Sequence, residues 1–116
     1  MSSKRKISLQ IQHFHGCPNS PEMIRRVKEA IRGIEDEVEY QEILVETNEL
    51  AEKIKFRGSP TLLINGEDFE GREEPREASL NCRYYQNGLP GVEKIKEKIQ
   101  KLLSGNDVAN TGKANL

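Results

Sequence analysis

Two cysteines, Cys17 and Cys82, are the residues best suited to chemistry in this chain of 116 residues. Cys17 stands in a turn-rich break, His15-Gly16-Cys17-Pro18-Asn19-Ser20. A cysteine reacts as its thiolate, and at an unperturbed pKa of about 8.5 little of it is ionised near neutrality. A helix N-terminus offers unpaired N–H groups and a partial positive charge, and both favour the thiolate. Lowering the pKa to about 7 needs roughly 2 kcal/mol of differential stabilisation, within reach of such a site. Ser20-Pro21 reads as the helix start itself, with Ser20 as N-cap and Pro21 at the first helical position. That places Cys17 about one turn ahead of the helix proper and gives Ser20 a capping role.

The second cysteine lies in Leu80-Asn81-Cys82-Arg83-Tyr84-Tyr85. Leu80, Cys82 and Tyr84 alternate, which predicts a short strand or turn with Cys82 as a small buried side chain. The functional alternative is a second thiol carried to Cys17, where Arg83 near either sulfur would favour ionisation. His13, His15 and Cys17 are spaced two apart, so an unbroken strand would put all three on one face, facing a soft metal. The turn at Gly16 interrupts that face. The expectation is therefore that His13 ends the strand and His15 is exposed, with no resident metal or cofactor.

The elements that would position these residues follow from periodicity. Ile7, Leu9 and Ile11 alternate with polar residues and predict a strand over 7–14. Ile24, Val27, Ile31 and Ile34 mark one face of a helix over 21–34. A second strand is predicted over 39–45, then a short helix capped by Thr47 and carrying Leu50, Ala51 and Ile54. Gly58-Ser59-Pro60 breaks the pattern before the apolar strand 61–64. Asn65-Gly66 is a strong hairpin signal and predicts an antiparallel return strand over 67–70. The stretch 71–90 is irregular, and too long for an ordinary structureless connection. A last helix over 91–103 carries Val92, Ile95, Ile99, Leu102 and Leu103 on one stripe. Its interleaved Glu and Lys residues read as a solvated face with local ion pairs. Residues 1–5 are expected to be a flexible N-terminus, 6–103 the domain, and 104–116 a disordered polar tail. The order βαβαββα gives an α/β domain whose mixed four-stranded sheet is flanked by helices.

That order, with three local motifs, resembles the thioredoxin-like superfamily. Gly16-Cys17-Pro18-Asn19-Ser20 lies between the first strand and the first helix, where that superfamily keeps Cys-x-x-Cys or Cys-x-x-Ser. Gly58-Ser59-Pro60-Thr61 resembles its cis-proline segment, and Leu63-Ile64-Asn65-Gly66-Glu67 the hairpin after it. The Leu-x-Cys-Arg-x-Tyr string at Cys82 is similar to one in small bacterial thioredoxin-like proteins that also carry Gly-Cys-Pro. The resemblance implies a cis bond before Pro60, Cys17 as nucleophile, and Ser59, Pro60, Pro18 and Ser20 around the substrate. The second motif position is Ser20 and not cysteine, so it cannot resolve a mixed disulfide. Three outcomes stay open: an outside thiol such as glutathione resolves, Cys82 resolves, or the fold is kept without redox turnover.

Three functions follow: thiol redox at Cys17, with Cys82 or glutathione as the resolving thiol; non-catalytic peptide binding beside Pro60; or soft-metal capture, Hg or Cu(I), by Cys17 and Cys82. Charged residues make up 32% of the chain and apolar ones 34%, with a net charge of −1 and interleaved signs. Such a surface argues against nucleic acid as a partner. No apolar run is long enough for a membrane span or a secretory signal. The expected setting is a cytoplasmic monomer acting on protein or small-molecule thiols and disulfides.

Overall fold

The computed structural model describes residues 6–105. The elements are β1 (Ile7–His13), α1 (Ser20–Ala30), a 3-10 turn (Glu35–Glu37), β2 (Val38–Leu44), α2 (Asn48–Ile54), β3 (Thr61–Ile64), β4 (Glu67–Asp68) and α3 (Val92–Ser104). They form one sheet in the order β2-β1-β3-β4. β1 pairs parallel with β2, from Ile7 opposite Val38 to His13 opposite Leu44. β3 lies antiparallel to β1 and to β4. The sheet is therefore mixed and four-stranded, as the order of patterns requires.

The alternation in β1 works as its periodicity predicts. Ile7, Leu9 and Ile11 are buried in one cluster with Met23, Val27, Ala30 and Ile31 of α1 and its end, Leu62 and Ile64 of β3, and Ile95 and Ile99 of α3. A smaller cluster of Val45, Ala51 and Phe56 draws in Phe14, Ile43, Leu50 and Ile54, and seats α2. Phe14 and Phe56 meet there edge to face, with ring centroids 6.5 Å apart. Thr47 caps α2 as its side chain predicts, its Oγ1 accepting from the Leu50 N–H at 3.0 Å. At the hairpin, Asn65 and Gly66 both have positive φ, 52° and 83°, the combination a two-residue type I′ turn demands.

Several boundaries differ from the sequence reading. α1 ends at Ala30 and not at Ile34: Ile31 serves as its C-cap, and Gly33 at φ 90° turns the chain away. Ile31 and Ile34 keep the period because both still pack on the core from the turn. β4 is two residues long and not four, ending where the Gly71 N–H bonds to the Asp68 carbonyl at 3.0 Å. α3 includes Ser104, assigned by sequence to the tail, and Gly105 closes it in the left-handed conformation at φ 81°. The flexible N-terminus expected over 1–5 and the tail beyond residue 105 lie outside the described residues.

Candidate functional site: the junction at Cys17 and the strap at Cys82

Cys17 sits between β1 and α1, with its N–H directed at the Phe14 carbonyl at 3.4 Å and its carbonyl accepting from the Ser20 N–H at 3.3 Å. Ser20 opens α1 and Asn19 stands at the N-cap with no side-chain capping bond, so Cys17 is closer to the helix end than the Ser20-Pro21 signal predicts. Ser20 is not the cap, because its hydroxyl is engaged elsewhere. It is buried and lies 3.2 Å from the Ser59 hydroxyl. The Ser59 hydroxyl in turn accepts from the Phe14 N–H at 3.2 Å. Pro18 is exposed in the turn.

Cys17 is only 5% exposed. In its thiol form it points at the Ser59 carbonyl, with sulfur and oxygen 3.5 Å apart. Burial opposes ionisation of this thiol. The Ser59 and Ser20 hydroxyls and the Asn19 and Ser20 N–H groups donate to the thiolate and outweigh that penalty, so its pKa lies below the ordinary value. The group lowering it most is thus a hydroxyl from the Ser59-Pro60 segment. The helix-end amides, which sequence reasoning relied on, come after it.

The Ser59–Pro60 peptide bond is cis. Ser59, Pro60 and Thr61 are all buried. The segment 78–85 runs alongside as a strap. Cys82 forms an isolated parallel bridge with Ser59: the Ser59 N–H donates to the Asn81 carbonyl and the Arg83 N–H to the Ser59 carbonyl, each at 2.9 Å. Side chains hold the strap on both flanks. Ahead of Cys82, the Ala78 and Leu80 N–H groups donate to Glu52 and to Asn48 Oδ1 at 3.0 and 3.1 Å. Behind it, Arg83 donates to both oxygens of Asp68 at 2.8 and 2.9 Å and to Thr61 Oγ1 at 3.2 Å. The Arg83 and Asp68 side chains are each 2% exposed. The Arg83 guanidinium also lies 4.7 Å from the centre of the Tyr85 ring, whose hydroxyl donates to the Pro60 carbonyl.

The strap alternates in the phase opposite to the one predicted. Leu80, Cys82 and Tyr84 face outward, at 37% and 78% exposure for Leu80 and Tyr84, and Arg83 is buried. The buried reading of Cys82 is therefore overturned. The physical reason is that Arg83 finds a buried carboxylate on β4, which makes an inward cationic residue favourable. Sequence reasoning saw Arg83 only as a support for a thiolate; its hydrogen bonds go to Asp68 and Thr61. Asp68, Tyr85 and Asn48 were missed altogether, because nothing at the level of spacing pairs residue 68 with residue 83.

The Cys82 residue is exposed, and its bridge to Ser59 brings it to the same residue whose carbonyl the Cys17 thiol points at. Desolvation, then the like charge of the nearby Cys17 sulfur, push the Cys82 thiol up. His13 is half-buried at the end of β1 and His15 is exposed. Both line, with Cys17, an open cavity of about 550 Å³. Among the described residues no cluster of three or more His, Cys, Asp or Glu side chains could hold a metal ion.

No protein-family model matches the chain, and no curated protein matches it. Solved structures do. A selenoprotein W-related protein from Vibrio cholerae is similar at 16% identity and TM-score 0.53, over 85% of this chain and 99% of that one. Human ERp44 in a zinc-bound form is similar at 17% identity and TM-score 0.56, over 93% of this chain but 32% of that one. The fold is thioredoxin-like. At these identities the likeness assigns architecture alone. In this thioredoxin-like domain the strand-to-helix junction and the cis-proline segment come together around Cys17. Among the described residues no helix is long and apolar enough to cross a membrane.

Proposed function

We propose that the protein is a thiol–disulfide exchange protein in which Cys17 attacks and Cys82 resolves. The observation that carries this reading is that the two cysteines meet at Ser59, the Cys17 thiol pointing at its carbonyl and Cys82 bridged to its backbone, with the Cys17 thiol acidified and the Cys82 thiol pushed up. The Cys17 thiolate attacks one sulfur of a disulfide R–S–S–R. A Cys17–S–S–R bond forms and the first R–S⁻ leaves, taking a proton from water. Cys17 then carries no charge, so one of the influences raising the Cys82 pKa disappears. Cys82 loses its proton to solvent and attacks the Cys17 sulfur, releasing the second R–S⁻. Two electrons pass to the substrate, and the protein is left with a Cys17–Cys82 disulfide. A low-molecular-weight thiol such as glutathione, itself oxidised to its disulfide, returns the pair to dithiol.

Ser20 borders the open cavity at Cys17 and Pro18 is exposed beside it, which supports their role as substrate-contacting residues, while the buried Ser59 donates to the Cys17 thiolate and Pro60 follows it in the chain. The Gly-Cys-Pro-x-Ser motif is similar to that of small bacterial thioredoxin-like proteins, and the absent cysteine at position 20 is made good by Cys82. The chemistry suits the cytosol, where free thiols persist, and a monomer suffices because both cysteines lie on one chain. Intact mass spectrometry of alkylation-trapped protein, after mixing with one equivalent of glutathione disulfide, tests the scheme. A loss of two hydrogens with no glutathione adduct is expected. A stable adduct on Cys17 would show an outside resolving thiol instead, and no change would remove the redox reading.

The same adjacency supports a second reading, capture of a soft ion such as Hg²⁺ or Cu⁺ between the two sulfurs. One equivalent taken up by the reduced protein, and lost in either Cys→Ser variant, is its signature.

A further inference from the structure

We infer that this site acts on low-molecular-weight disulfides and not on extended polypeptides, because the strap already occupies the backbone edge beside Pro60. The inference rests on the thiol-exchange reading above and names its substrate class. An extended peptide is recognised by a free N–H and C=O on a strand edge. Next to Cys17 those groups belong to Ser59, and the strap uses both: the N–H is given to Asn81 and the carbonyl receives the Arg83 N–H. The fit leaves no slack. Gly58 lies at φ +102°, and a Cβ added to it would stand 2.9 Å from the Arg83 Cβ. A polypeptide can take this edge only after the strap leaves. That would part Arg83 from Asp68, a pair whose side chains are each 2% exposed. Parting such a pair disfavours the open state by about a hundredfold or more.

A small disulfide has another approach. The cavity of about 550 Å³ reaches Cys17 between His13, His15, Pro21, Ile24 and Leu44, and none of its lining residues belongs to the strap. The substrate can meet the Cys17 thiolate there while Cys82 waits on the Ser59 side. The exchange balances as before: two protein thiols become one disulfide, and R–S–S–R takes two electrons and two protons to give two R–SH.

Two probes with the same leaving thiol test this on the full chain. One is bis(2-hydroxyethyl) disulfide. The other is the mixed disulfide of 2-mercaptoethanol with the central cysteine of an extended, β-forming heptapeptide. Each rate of 2-mercaptoethanol release is divided by that of free glutathione with the same probe. The wild-type protein should favour the small probe by about a hundredfold. Arg83→Gln, which frees the strap, should narrow that ratio by about tenfold or more. Equal normalised rates in the wild type would overturn the inference whether or not the variant folds. An unchanged ratio in a folded Arg83→Gln would overturn it too. Reaction of neither probe faster than glutathione would sink the exchange reading itself, and this inference with it.

Discussion

The junction at 15–20 and the strap at 78–85 bring a cysteine to the same place by different means. Cys17 is held by local structure: a turn off β1, the first amides of α1, and the two serine hydroxyls that close over the sulfur. Cys82 is held by its neighbours and not by its own side chain, with Asn81 and Arg83 bonded to Ser59 and Arg83 locked onto Asp68. The first cysteine is buried and acidified, the second exposed and kept protonated. A nucleophile needs a fixed environment; a resolving thiol needs a fixed address. The difference predicts that chemistry at Cys17 is sensitive to groups touching its sulfur, whereas Cys82 is sensitive to groups that never touch it.

The largest expected effect is from Cys17→Ser, which should reduce disulfide exchange to the buffer background. Cys82→Ser should leave the first release of thiol largely intact but trap a mixed disulfide, visible as an added mass. Equal losses in the two variants would break the division of labour. Next comes the anchor. Arg83→Met leaves the Asp68 carboxylate buried and unpaired, which costs about 3–5 kcal/mol and lowers Tm by about 12 °C or more in a domain of this size. Calorimetry checks this, and a fall of a degree or two would show that the pair does not hold the strap.

Removing the hydroxyl in Ser59→Ala takes away the donor that most favours the Cys17 thiolate. The group is acidified in the folded protein, so its alkylation persists to lower pH than that of a peptide thiol. The variant should shift the pH–rate midpoint of Cys17 upward, toward that of a peptide thiol. An unmoved midpoint would assign the acidity to the Ser20 hydroxyl and the helix-end amides. The smallest effect belongs to Tyr84→Ala. Tyr84 is 78% exposed on the outer face of the strap, and stability should change by no more than about 0.5 kcal/mol.

The two regions also divide what was legible in the sequence. The junction could be read because its causes are local. Ile7, Leu9 and Ile11 set a strand, and α1 follows within a few residues, so a cysteine between them had to lie near the helix end. Asn65-Gly66 and Thr47 were equally plain, since turn and cap chemistry act over three or four residues. The strap was opaque for the opposite reason. Its face is chosen by Arg83 reaching 15 residues back to Asp68, and its edge by Ser59 lying 23 residues before Cys82. Local alternation gave the right period there and the wrong phase. Ser20 failed in the same way, because a distant serine on the Pro60 segment competes successfully for its hydroxyl.

β4 is two residues long, and beside it the strap has a consequence for how copies of the chain meet. Leu63 and Ile64 are covered by β4, Leu62 accepts from the Phe69 N–H, and Ser59 is covered by the strap. A strand edge left bare is a template for pairing with a neighbouring chain. The bonds that present Cys82 to Cys17 therefore also close the edge at Ser59 to strand addition, on the side of the sheet away from the β2 edge. A variant that loses the strap should reveal it first as concentration-dependent self-association.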